Sequence, residues 1–152
     1  MISLESTQST RVSLEAIRDG KAGLNEHRQS LLDCAPNSGD WCEFEVEHLE
    51  MQDLAYLTAN TGHEFAILRG KRVDVLFHGD HCRCEFPPVI AQRLLEKNLR
   101  ILGHSHPGEP IPIPSPQDRM TLAKIGQTES RIISGMTGQE ITFTADLFED
   151  IL

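Results

Sequence analysis

The alternation of apolar and polar positions divides the chain into short elements. Residues 24–34 (LNEHRQSLLDC) read as a short helix, stopped by the loop chemistry of Ala35-Pro36-Asn37-Ser38-Gly39. Residues 51–60 place Met51, Leu54, Ala55 and Leu57 at helical spacing, with Gly62 as the stop. Two strands follow, 64–68 (EFAIL) and 73–77 (VDVLF), joined by a turn at 69–72 that contains Gly70. Apolar residues fall on both faces of the first, which predicts a central strand covered on two sides. Pro87 and Pro88 open a helix through Asn98, whose stripe is Ile90, Ala91, Leu94 and Leu95. A strand at 99–103 runs into His104-Ser105-His106, and a proline-rich loop, 107–114, leads to a helix at 116–125. Strands at 131–135 and 140–144 and a C-terminal helical turn over 146–152 complete the series. The order α-β-β-α-β-α-β-β predicts an α/β (α+β) sandwich around a mixed sheet. Residues 1–23 are polar and end in Asp19-Gly20-Lys21-Ala22-Gly23, so they read as a flexible N-terminal arm before a single domain, 24–152.

Composition narrows the function classes. The chain has 152 residues, enough for one domain with its own core. Its net charge of −9 argues against nucleic acid or an anionic membrane as partner, because phosphate binding depends on clustered Lys and Arg. No apolar run approaches the roughly 18–20 residues that span a bilayer, and the first residues lack the basic and apolar regions of a secretion signal. The expectation is a cytoplasmic protein. Cys34, Cys42, Cys82 and Cys84 are then reduced thiols rather than a disulfide framework. A structural zinc in the stretch from His78 to Cys84 is conceivable, but no C-x-x-C spacing supports it. Trp41 and Phe44 could border a substrate groove, although packing in a core is the simpler role for two of so few aromatics.

The chemistry concentrates in Gly103-His104-Ser105-His106-Pro107 and Ser115-Pro116-Gln117-Asp118. In extended chain, residues i and i+2 project to one face, so His104 and His106 can aim two imidazoles at one point. Ser115, Pro116 and Asp118 form a helix-start signature that needs no catalytic role. A helix start also fixes a carboxylate firmly enough to aim it, and Asp118 follows His106 by twelve residues. Two imidazoles and a carboxylate suit a catalytic zinc with one open position, though iron or manganese could occupy such a site. Zinc lowers the pKa of water from 15.7 to about 7. Hydrolysis would also need a carboxylate to take the water's proton and return it to the leaving amine. Glu64, at the start of an otherwise apolar strand, is the candidate; alternatively it is an exposed residue just before that strand begins.

Together, Glu64 and the strand after it, His104-Ser105-His106-Pro107 and Ser115-Pro116-Gln117-Asp118 resemble the signature of the JAMM (JAB/MPN) zinc metalloproteases, over about residues 50–146. The resemblance implies an MPN/JAB-like mixed sheet flanked by helices and one zinc per chain. It implies that His104, His106 and Asp118 ligate the metal, that Glu64 is the general base, and that Ser115 donates a hydrogen bond to the oxyanion. The loop 107–114 is one residue longer than the family pattern. The chain also lacks the long insertion after Asp118 with which relatives grip lysine-linked ubiquitin chains, and so resembles the compact prokaryotic members. The activity implied is cleavage of a peptide or isopeptide bond that releases or trims a ubiquitin-like or sulfur-carrier-like protein. The alternatives are a catalytically inactive MPN-type scaffold and a zinc amidohydrolase acting on small peptides.

Overall fold

The computed structural model describes Leu31 and residues 37–45, 48–81 and 85–146. The expected arm, most of the helix at 24–34, all but Asp146 of the C-terminal turn, and Cys34, Cys82 and Cys84 lie outside these residues. Within them, the elements are β1 (Trp41–Phe44), α1 (Met51–Thr61), β2 (Phe65–Arg69), β3 (Asp74–His78), α2 (Pro88–Leu95), β4 (Arg100–His106), α3 (Pro116–Ile125), β5 (Glu129–Ser134) and β6 (Glu140–Thr144). The six strands form one mixed sheet in the order β1-β3-β2-β4-β5-β6. Only β4 and β5 run parallel, joined by the crossover helix α3, and every other pair is antiparallel.

The α/β class and mixed sheet expected from the hydrophobic pattern are present. β2 lies between β3 and β4 and is buried from Phe65 to Leu68, which is why apolar residues were needed on both its faces. The β2–β3 turn closes with the Gly70 amide donating to the Val73 carbonyl at 2.8 Å. Most bounds shift by one or two residues, and the larger differences lie at β4, α2 and β1. β4 begins later and continues through His106, so both histidines lie inside the strand. α2 ends at Leu95 rather than Asn98, with Lys97 in the left-handed region at φ 65°. The chain also forms a strand at 41–44 that its mixed pattern did not announce. There Trp41 packs with the cluster of Val75 and Leu94, while Cys42 and Phe44 pack with that of Leu57 and Leu76. Trp41 and Phe44 are therefore partly buried core residues, and neither lines the cavity described below.

The sheet separates two apolar layers. On one face α1 contributes Leu54, Ala55 and Leu57, which pack on Phe65, Ile67, Leu76 and Ile133. On the other, Ile90 and Leu94 of α2 and Leu122 of α3 cover Leu68, Val75, Ile101 and Ile132. No helix among the described residues is long and apolar enough to cross a membrane.

Candidate metal centre

The site forms on the α2/α3 face, at the C-terminal end of β4. Its geometry depends on an irregularity. Ile67 of β2 pairs with Gly103 but Leu68 pairs with Ile101, so Leu102 is an extra residue on β4. Ile101 packs on the α2/α3 side and Leu102 on the α1 side. Gly103 also faces α1, because a Cβ there would lie 2.4 Å from the Met51 sulfur. The bulge thus resets the alternation, and His104 and His106 emerge on the same face as Ile101, lining one cavity. Bulges re-aim side chains in this way beside functional sites.

Asp118 arrives from the first turn of α3. Ser115 is the N-cap; its Oγ accepts the Asp118 amide at 3.0 Å, and its own amide donates to Asp118 Oδ2 at 2.9 Å. This closed capping box fixes the carboxylate, so the longer loop 107–114 leaves the helix start intact. That loop is tied down where the Gly135 amide donates to the His106 carbonyl and the Thr137 hydroxyl to the Pro110 carbonyl.

The imidazoles meet at their Nε2 atoms, 3.0 Å apart. Asp118 Oδ1 lies 3.3 Å from Nε2 of His104, and Oδ2 lies 3.5 Å from Nε2 of His106. Glu64 stands just before β2 and is nonetheless only 7% exposed, so it is not a solvated residue ahead of the strand. Glu64, His104 and His106 each offer a ligand atom within 4.8 Å of the others, and this buried group could hold a metal ion. The sequence-derived residues Glu64, His104, His106, Ser115 and Asp118 all line one cavity of about 680 Å³. Its walls include Phe86, Ile113, Leu122 and Phe143, and its rim includes Glu85, Glu109 and Lys124.

The charges in the cluster sustain one another. Burial alone would raise Asp118, but hydrogen bonds from His104 and His106 hold its carboxyl well below the usual range. Burial works against protonated His106, yet the Asp118 hydrogen bond and the negative charges of Glu64, Asp118 and Glu109 raise its pKa. Burial pushes Glu64 up, with the attraction of His104 and His106 a smaller opposing effect. Two neutral imidazoles cannot point Nε2 lone pairs at each other over 3.0 Å without repulsion. A proton or a cation must lie between them, and the donor set of two imidazole nitrogens and a carboxylate fits a divalent metal.

A hydroxyl chain ties this centre to α1. The Phe65 amide donates to Ser105 Oγ at 3.0 Å, Ser105 and Thr58 share a short hydroxyl–hydroxyl hydrogen bond, and the Thr58 hydroxyl donates to the His63 carbonyl at 2.8 Å. It starts and ends on the two neighbours of Glu64 and passes through the residue between the two histidines. Sequence reasoning missed Ser105 and Thr58; the signal available was a small polar residue at an inward position between two ligand-type residues. Comparison of the chain with models of known families, with curated proteins and with solved structures found no match.

Proposed function

We propose that this chain is a zinc-dependent metallopeptidase with a JAB/MPN-like fold, hydrolysing a peptide or isopeptide bond to release or trim a ubiquitin-like or sulfur-carrier-like protein. The observation that carries the reading is the meeting of His104 Nε2 and His106 Nε2 against separate oxygens of Asp118, with buried Glu64 beside them. His104, His106 and Asp118 would hold the zinc, which supplies a Lewis acid that polarises a carbonyl and acidifies water. Glu64 takes the proton of the attacking water and delivers it to the leaving amine, for which its buried position beside the two imidazoles places it. Ser115 keeps its amide and Oγ lone pair engaged with Asp118, and its hydroxyl proton is directed to the carbonyl oxygen as negative charge develops there. An extended substrate segment would enter past Ile113, and the acidic rim of Glu85 and Glu109 favours a neutral or basic one. The size of the cavity and its apolar walls support a second reading, a zinc amidohydrolase of small peptides.

The test is elemental mass spectrometry with a turnover assay on ubiquitin-like fusions, lysine isopeptides and short peptides. We expect about one zinc per chain in the wild type, none in His104→Ala, and full zinc with most turnover lost in Glu64→Gln. A folded, zinc-supplemented sample that holds no metal would overturn the hydrolase reading in favour of a scaffold.

A further inference from the structure

We propose that Glu109 is a positioning residue for the metal centre: its carboxylate accepts the Nδ1 proton of His106 and so fixes that ring with its Nε2 lone pair facing His104 and Asp118. The inference rests on the metal-centre reading. Nδ1 of His106 is the one buried side-chain polar atom among the described residues without an aligned hydrogen-bond partner. Glu109 Oε1 lies 3.1 Å from it. The pair is within hydrogen-bond distance and lacks only alignment, the carboxylate is 41% exposed, and such contacts commonly tighten only when a site is loaded.

The local chain is built to bring Glu109 there. Gly108 adopts φ 79°, which turns the backbone sharply after Pro107 and returns the residue three positions on to His106. The Ser134 hydroxyl donates to the Glu109 carbonyl, and Glu109 Oε2 accepts the Ile113 amide at 3.1 Å. With its other oxygen engaged, Oε1 remains for the ring. A histidine that binds metal through one nitrogen generally donates the other N–H to a carboxylate, carbonyl or water, which sets the tautomer and strengthens the ligand.

The experiment is competition between the full-length chain and a chromophoric chelator for zinc, with wild type, Glu109→Ala, Glu109→Gln and Thr137→Val. Loss of such a partner typically weakens metal binding by about 10–100-fold, and that loss is expected for Glu109→Ala. Glu109→Gln keeps an acceptor oxygen and should recover most of the affinity. Thr137→Val removes a tie on the same loop without touching His106 and should bind as the wild type does. Ring-nitrogen NMR of the zinc-loaded wild type should show a protected Nδ1 proton on His106 that Glu109→Ala loses. Wild-type affinity in Glu109→Ala, equal weakness in Glu109→Gln, or equal weakness in Thr137→Val would each overturn the proposal. A wild type that takes up no zinc would instead sink the metal reading itself.

Discussion

Asp74 offers a test of the frame that carries the site. Its side chain is fully buried at the start of β3, and Arg69, at the end of β2, is a quarter exposed. The carboxylate accepts the Leu49 amide at 2.7 Å, Arg69 Nε at 3.0 Å on Oδ1 and Arg69 Nη2 at 3.0 Å on Oδ2. Arg69 Nη2 also donates to the Leu49 carbonyl at 2.6 Å, so both backbone polar groups of Leu49, just before α1, are gripped by one ion pair. Asp74→Ala strands a buried amide and half-buries an unpaired guanidinium. Breaking a buried pair costs about 3–5 kcal/mol, and access of water to Arg69 places this case near 3. For a chain of this length that is a fall in Tm of roughly 6–12 °C. Burial alone would raise Asp74, but the Arg69 and Leu49 hydrogen bonds outweigh it and lower its pKa below the ordinary value. The stabilisation is therefore present above the unfolded pKa, about 3.9, and is lost as pH falls through the lower folded value. Thermal unfolding by circular dichroism should show a gap between wild type and variant that is present at neutral pH and narrows in strong acid. A change in Tm under about 2 °C at neutral pH, or a gap that persists in strong acid, refutes the reasoning.

Two further substitutions probe the link between scaffold and site. Ser105→Ala deprives the buried Phe65 amide of its acceptor and Thr58 of one of its two partners; urea denaturation should show a loss of about 1–3 kcal/mol, and on the proposed function zinc stoichiometry is retained while turnover falls because the placement of Glu64 loosens. Metal loss as complete as in His104→Ala would show instead that Ser105 supports the ligands. Gly103→Ala places a Cβ 2.8 Å from the Arg131 carbonyl oxygen as well as against the Met51 side chain; methionine can move but the strand backbone resists, so destabilisation of about 1–3 kcal/mol is expected, and a variant as stable as wild type would show that the sheet yields there at little cost.

Much of the architecture was legible because local and tertiary preferences agree. β2 is apolar on both faces and is central, and Ser115, Pro116 and Asp118 start α3 where a capping box should. Gly62 ends α1 in the left-handed region at φ 74°. β1 was hidden because Trp41, Cys42, Glu43 and Phe44 do not alternate cleanly. An edge strand is covered less completely, and Glu43 satisfies its charge with Arg93 at 2.8 Å. The burial of Glu64 was hidden for another reason. A carboxylate before a strand reads as solvated until its neighbours are known, and the charged groups that meet it come from β4, α3 and the segment after β3.

The residues of the candidate cluster could be named from the sequence, but not the geometry that brings them together. Period-two alternation from Ile101 through Leu102 and Gly103 would turn His104 and His106 toward α1, into the layer of Leu54 and Leu57. The residue types argue against that outcome, since two imidazoles there would be buried among aliphatic side chains without partners. The extra residue at Leu102 resolves the conflict by shifting the phase once. It is tolerated because Gly103 has no Cβ to strike Met51 when two successive residues face the same helix. Gly103 is thus tied to the aim of the histidines through backbone space rather than through any contact with them. The spacing between Glu64 and the histidines is then set by Ser105, the one residue of the three that faces α1. The histidine pair, the bulge and the hydroxyl chain form one unit, so changes at Gly103 and Ser105 should not add independently to changes at His104 or Glu64.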